Sequence, residues 1–394
     1  MSVVDLASVL ADPALVRVWD ALPEARLVGG VVRDMLGGAP VADIDLATPD
    51  APEIVAQQLA DAGIKAVPTG LAHGTLTAVV MSRGFEITSL RRDIATDGRH
   101  AVVAFTDDWR EDAARRDFTC NAMSVDRDGG LHDFFDGEAD LRAGRVRFVG
   151  DPAARLAEDY LRLLRFFRFQ ARFGLVLPDA ATRQALIDAV PGIARLSVER
   201  VWHELKRILA TQDPRAAIGL MDELGVLAAV LPEGAAPDRL AVLIAAGAPI
   251  DPILRLAALL DGDAAAFAAR LRLSGAERDR LLALGGDTPE ENADDDALRR
   301  ALADAPRDVV IDRIWLTGRS DILRPRLASM PTPIFPLQGR DLAEVGMAPG
   351  PDIGRRLAEL RAWWWDGGCR ADRAACLAEY AQVSDAYGRG GKIY

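Results

Sequence analysis

Over its first third the chain carries short apolar stretches, at Arg26–Val28, Ile44–Ala47, Thr75–Met81, Phe85–Ser89 and Ala101–Phe105. Gly, Asp and Pro turns separate them. Apolar runs of this length bounded by turns predict strands, and one stretch of helical period, Ala51–Ala62, predicts a helix among them. The expectation is an α/β region from about residue 25 to 150. From Pro152 onward the apolar period becomes helical almost without a break, rich in Ala and Leu, and no strand alternation competes with it. The acidic stretch Gly285–Asp296 predicts a surface loop, and Arg324–Pro336, with four prolines, predicts a linker. Boundaries near 145, 210 and 325 divide the chain into 1–145, 146–210, 211–325 and 326–394, so the fold class is α/β followed by all-α.

The length of 394 residues suits two to four domains, and 50% hydrophobic with 27% charged residues excludes an intrinsically disordered chain. With 47 Lys and Arg against 59 Asp and Glu the net charge is −12, so any nucleic-acid site must be a local basic patch. The cysteines Cys120, Cys369 and Cys376 are too few and too scattered for a disulfide framework. The longest apolar run, Leu240–Ile250, falls far short of the ~20 residues a membrane span needs, and no basic leader opens the chain. A cytoplasmic protein with no membrane partner is expected.

The segment Leu27-Val28-Gly29-Gly30-Val31-Val32-Arg33-Asp34 carries the first chemical signal. Paired glycines after a short strand let backbone N–H groups approach an anion, and the following helix presents its positive end. Gly29 and Gly30 therefore predict a triphosphate cradle, with Arg33 one turn along to add a charge-assisted contact. About ten residues later Asp43 and Asp45 stand two apart on a strand, so both carboxylates leave one face and can share hard cations. Glu86, on a later apolar strand, is either a third carboxylate of that site or an exposed strand residue.

These features resemble the nucleotidyltransferase superfamily built on the polymerase β palm, and more narrowly the class II tRNA nucleotidyltransferases and bacterial poly(A) polymerases. Arg115-Arg116-Asp117-Phe118-Thr119-Cys120-Asn121-Ala122 is similar to a family segment associated with sugar recognition, with Cys120 in place of the usual Ile or Val. His132-Asp133-Phe134-Phe135-Asp136-Gly137, the helix Glu158-Asp159-Tyr160-Leu161-Arg162, and Arg195-Leu196-Ser197-Val198-Glu199-Arg200 with Glu204 and Lys206 match further blocks. The resemblance covers about residues 25 to 210. It implies a mixed-sheet palm followed by a helical neck, body and tail.

The implied activity is template-independent addition of CMP, CMP and AMP, from CTP and ATP, to the 3′ end of tRNA, with tRNA held at acceptor stem and elbow. Mg²⁺ is the implied cofactor, held by Asp43 and Asp45. Gly29, Gly30, Arg33 and Asp34 fall to the triphosphate side, Arg116 and Asp117 to the ribose, and Arg165 and Arg168 to further phosphates. On one continuous helix Leu156, Tyr160, Leu163, Leu164, Phe167 and Ala171 form an apolar stripe while Arg155, Glu158, Asp159, Arg162 and Arg165 share another face. Asp159 and Arg162, one turn apart, would then pair with the base, accepting from cytosine N4 or adenine N6 and donating to the ring nitrogen beside it. Uracil and guanine reverse both partners. The competing reading is a surface ion pair. Eight arginines between residues 142 and 172 suggest a phosphate-binding patch. Glycines before the tail helices, at 339 and 346–354, suit either a grip on tRNA phosphates or helix caps, and Trp363-Trp364-Trp365 suits base stacking or a split between core and surface. The rivals are a poly(A) polymerase, a CC-only or A-only enzyme, and an inactive RNA-binding module. The long charged segment 91–108 favours full CCA addition, because CC-adding relatives lack part of it.

Overall fold

A computed structural model describes residues 3–41, 43–70, 74–96, 101–318 and 321–389. The chain divides into two compact units, 1–232 and 233–394.

The first unit is built on a seven-stranded sheet. Its strands are β1 (Arg26–Val28), β2 (Asp45–Thr48), β3 (Lys65–Gly70), β4 (Thr75–Val80), β5 (Arg83–Ser89), β8 (Ser124–Val125) and β9 (Leu131–His132), in the order β3-β4-β5-β2-β1-β8-β9. β2 and β5 run parallel and every other pair is antiparallel. The five expected strands are present to within a residue or two. β3, β8 and β9 escape a pattern search for different reasons. Pro68 and a bulge between Val67 and Gly70 interrupt β3 at the sheet edge, where a missing N–H is tolerated, and β8 and β9 are two residues each, too short to show a period.

Alternation decides which face does what. On β4 and β5, Leu76, Ala78, Val80, Phe85 and Ile87 are buried, and with Leu15, Val18, Trp19, Val55 and Leu59 of helices Pro13–Ala21 and Pro52–Asp61 they form the main palm core. The opposite face presents Thr77, Glu86 and Asp45 in neighbouring register positions. The β4–β5 turn uses Met81 and Ser82, both at positive φ, the two-residue hairpin geometry that matches strand twist.

The charged segment after β5 is a hairpin rather than a loop: β6 (Arg91–Thr96) pairs with β7 (Ala101–Phe105), and residues 97–100 at its tip lie outside the described residues. Its base is tied to the palm by Leu90 N–H donating to the Thr48 carbonyl and Thr106 N–H to the Leu90 carbonyl. Phe105 packs where a Cβ on Gly74 would lie 2.6 Å from its ring.

Helices Pro152–Glu158, Leu161–Phe173, Ala180–Ala189 and Val198–Leu209 follow. The first two correct the expected continuous helix. Asp159 takes φ −152° and ψ 108°, breaking the helix between Glu158 and Leu161. Leu156, Leu163, Leu164 and Phe167 of the predicted stripe are nonetheless buried. Phe118 locks the palm to this neck, its ring centroid 4.9 Å from Phe148 and 5.1 Å from Phe169.

The second unit is helical among its described residues, apart from an isolated bridge between Ala235 and Leu260. The segment read as a linker begins as a helix, Leu323–Ser329; Pro325 is accommodated because first-turn N–H groups lack intrahelical acceptors anyway. Trp364 is buried and donates to the Ala371 carbonyl, whereas Trp363 is exposed, so the tryptophan triplet divides between core and surface. At the Gly339 helix, the Gln338 N–H is taken by Asp341 in a capping box.

Candidate active site

Asp45 opens β2 and Glu86 sits mid-β5, paired directly across the parallel ladder, so both carboxylates leave the same face. Asp43 lies just upstream, and all three line one hollow of about 520 Å³ together with Thr77, Arg83, Gly84 and Phe85. Partial withdrawal from water pushes the Asp45 carboxyl above its ordinary value, the charges of Glu86 and Asp43 push it further, and Arg116 opposes them. Among the described residues no three acidic, His or Cys side chains form a ready-made metal cage. What fits a hard divalent cation is the Asp43/Asp45 pair, whose oxygens crowd like charge that a cation would relieve, with substrate oxygens to complete the shell.

A second hollow, about 670 Å³, opens from Asp45 toward the neck. Gly29, Gly30, Arg33, Arg116, Asp117, Asp159, Arg162, Arg165 and Arg168 all line it, so the structure gathers sequence-predicted residues from three segments beside Asp45. Gly29 turns the chain at φ 71°, and Arg116 Nη1 lies 3.2 Å from where its Cβ would be, so glycine is required on both counts. Its N–H donates to the Met123 carbonyl, however, leaving the cradle to the amides that follow. Arg33 is likewise not an open phosphate ligand. It is buried, donates to Asn121 Oδ1 and Asp34 Oδ1, and faces the rings of Phe169 and Phe173.

The other predicted groups are similarly held. Arg116 donates to Asp112 and to the Asn121 carbonyl; burial notwithstanding, Arg116 and Arg115 keep Asp112 below the usual carboxylate range. Asp117 accepts from Asn121 Nδ2 and pairs with Arg165. Because the helix breaks at Asp159, that carboxylate does not meet Arg162: it accepts from Leu161 N–H and from Arg200, 2.7 Å away. Arg162 pairs with Glu158 and donates to the Arg115 and Arg155 carbonyls. Asp159 and Arg162 therefore share one cleft wall, each fixed by its own partner, and do not form the one-turn pair expected of a continuous helix.

The eight-arginine patch is corrected in the same way. Arg142, Arg145, Arg147, Arg155, Arg162, Arg165, Arg168 and Arg172 each pair with a carboxylate, from Glu138, Asp140, Glu158, Asp117, Glu204 or Asp34. The cleft remains basic all the same, with seven arginines against four carboxylates on its wall. Burial pulls the Arg168 guanidinium down to about 10 while Glu204 opposes the shift. Arg165 Nε and Glu204 Oε2 are buried there without an aligned hydrogen bond, and Asp117 Oδ2 is held only by its ion pair with Arg165. Cys120 is buried and its thiol pushed up to about 12, so it acts as the small apolar residue its position calls for.

Two further motifs prove architectural. Asp133 accepts from the N–H groups of Phe135, Gly137 and Glu138, and Gly137 approaches so closely that a Cβ would lie 2.2 Å from the Thr119 carbonyl. Asp140 ties Thr119 Oγ1 to Arg145 and Arg147.

Comparison with known proteins agrees with this arrangement. The model of the poly A polymerase head domain matches residues 25–147, and that of a probable RNA and SrmB-binding site of polymerase A matches 178–236. The mitochondrial CCA tRNA nucleotidyltransferase 1 of Mus musculus is 36% identical over 375 residues, 90% of this chain and 86% of that protein. The chain belongs to the CCA tRNA nucleotidyltransferase family. The mitochondrial CCA tRNA nucleotidyltransferase 1 of Homo sapiens is 35% identical over 376 residues, 90% of this chain and 86% of that protein. The Bacillus stearothermophilus CCA-adding enzyme, solved in complex with CTP, is similar at TM-score 0.75 and 25% identity over 96% of this chain and 100% of that one. Nucleotidyltransferases of this family are generally dependent on a divalent metal.

Asn121, Arg200 and Glu204, read from the sequence only as parts of motifs, have specific partners in the site, and His203 and Arg207, which no motif singled out, join them. Asn121 bridges Arg33 and Asp117. Arg200, His203, Glu204 and Arg207, at positions i, i+3, i+4 and i+7, share one face of the helix Val198–Leu209, and His203, Glu204 and Arg207 line the cleft. Helical spacing was the signal for that face. Among the described residues no helix is long and apolar enough to cross a membrane.

Proposed function

We propose that this protein adds CMP, CMP and AMP, from CTP and ATP, to the 3′ end of tRNA without a nucleic-acid template. The observation that carries this reading is the convergence on Asp45 of the Asp43/Glu86 carboxylates and the arginine-walled cleft holding Asp159 and Arg162. Asp43 and Asp45 would hold Mg²⁺, which when bound lowers the pKa of the attacking hydroxyl and offsets charge on the leaving pyrophosphate. Glu86, beside Asp45, accepts or passes on the hydroxyl proton. Gly30 and the cleft arginines bind the triphosphate, while Arg116 and Asp117 fix the ribose.

Base choice follows from fixed hydrogen-bond polarity. Asp159 is anchored by Arg200 and the Leu161 amide, and Arg162 by Glu158, so neither can reverse its role to suit uracil or guanine. A cytoplasmic location and contacts with both acceptor stem and elbow belong to this proposal. The deciding experiment incubates purified protein with tRNA lacking its 3′ end and each labelled nucleotide, then sequences the products. Two C residues followed by one A support the reading; A tracts from ATP alone indicate a poly(A) polymerase, and no incorporation indicates an RNA-binding module.

A further inference from the structure

The break between the helices Pro152–Glu158 and Leu161–Phe173 is made by Asp159 and Tyr160, of which only Asp159 lines the neck-side cleft. Tyr160 is half-buried and lays its ring against Gly192 in the 3₁₀ turn Val190–Arg195, where a Cβ on the glycine would lie 2.0 Å from the ring's Cδ1 and 2.2 Å from its Cγ. No side chain fits between them. The backbone of Gly192 is not in the left-handed region, so the approach of the ring, and not the conformation of the chain, is what demands glycine. Cγ and Cδ1 belong to the base of a rigid ring, so a methyl group at 192 has to displace the whole side chain and pull on the backbone that carries it. The Arg195 guanidinium, at the end of the same turn, lies 5.5 Å from the ring centroid, within cation–π range.

Asp159 is held from the same stretch of chain. Arg200 pairs with its carboxylate and the Leu161 N–H donates to it. Both members of that ion pair are partly open to water, so the pair restrains only weakly by itself. Choosing a base by hydrogen-bond polarity asks for more, because an acceptor that swings by about an ångström no longer meets the base edge. A ring seated in a notch one residue away supplies the missing restraint on the backbone.

We propose that Tyr160, seated in the Gly192 notch, is a positioning residue for nucleotide selection: it fixes the helix break so that Asp159 presents its acceptor to the base. This rests on the nucleotidyl-transfer reading. Tyr160 lines none of the three hollows that border Asp45, so disturbing it should alter which nucleotide enters more than how fast a correct one reacts. Gly192→Ala keeps every side chain of the site and fills only the notch. In Gly192→Ala and in Tyr160→Ala the ratio of kcat/KM for UTP to that for CTP should rise about threefold to tenfold, with kcat for CTP within about twofold of the parent. Tyr160→Phe keeps the ring and should match the parent. The double variant should be no less selective than Tyr160→Ala alone, because ring and notch act as one unit. Rates are compared at matched folded fraction, where a contact that served stability alone would leave the ratio unmoved. Equilibrium titration of CTP and UTP into the full chain reads the same preference without the reaction. A preference retained in both Gly192→Ala and Tyr160→Ala overturns the positioning role and leaves the proposed function standing, and so do losses that simply add in the double variant. A parent that binds CTP no better than UTP refutes the base-reading function itself, and the positioning role with it.

Discussion

Asp45 and Glu86 face each other as register partners across the only parallel strand pair among the described residues, forty-one positions apart in sequence. Neighbouring parallel strands lie ~4.8 Å apart, so the two like charges are close without sharing a hydrogen bond. The raised Asp45 carboxyl is the electrostatic mark of that crowding and of its partial loss of water.

Asp45→Ala should abolish addition of both CMP and AMP, by about a thousandfold or more, while tRNA binding stays within a few-fold, because transition-state charge loses a metal ligand. Single-turnover incorporation and filter binding measure the two separately.

The same residue has an opposite effect on stability. Its folded pKa lies above the unfolded value, so its favourable contribution is present at acid pH and lost as pH rises through the raised value. In a metal chelator Asp45→Asn should therefore melt above the parent at pH 8, and the gap should close toward pH 4. Melting curves across that range test the sign.

Asp159→Ala removes the acceptor for cytosine N4 and adenine N6 and relieves the penalty against uracil and guanine. The ratio of kcat/KM for UTP to that for CTP should rise tenfold to a hundredfold, about 1 to 3 kcal/mol. Arg200→Ala frees Asp159 without deleting it and should move the ratio in the same direction by less. An unchanged ratio for Asp159→Ala would end the base-reading role.

Removing residues 95–99 shortens the β6–β7 hairpin, whose tip at 97–100 is outside the described residues, and leaves its anchor at Leu90, Phe105 and Thr106. The two CMP additions should persist and AMP addition should fall, since the larger purine requires the site to rearrange. Equal loss of both would assign the hairpin a purely structural role.

In the helical unit, burial pushes Asp312 up to about 6, against the pull of Arg280 and with help from Asp251 and Asp308. Protonation is favoured in the folded state, so this contribution is full below the ordinary carboxylate pKa and fades as pH rises through 6. Asp312→Asn should flatten that pH dependence by no more than about 1 kcal/mol between pH 5 and 7, since solvent reaching Arg280 screens the cluster. Denaturant unfolding at the two pH values measures it.

What the sequence determined alone was local. The apolar pattern located the strand that Asp45 opens, with Asp43 just before it rather than on it, helical period gave the Leu156–Phe167 stripe, and paired glycines gave the turn at Gly29. These follow from backbone geometry, which acts over a few residues and leaves its period in the chain. Partnership was decided only by the tertiary structure. Arg165 reaches Asp117, Arg168 reaches Glu204 and Arg172 reaches Asp34 across 138 positions, so three of the arginines that looked like an open patch are neutralised by carboxylates far away in sequence. The break at Asp159 is of the same kind: Glu158 through Arg162 is a plausible helix by itself, but Arg200, brought in by packing of the Val198–Leu209 helix, holds the Asp159 carboxylate at the break. A charge takes its partner from whatever the folded core brings within a few ångströms, and no local period records that choice.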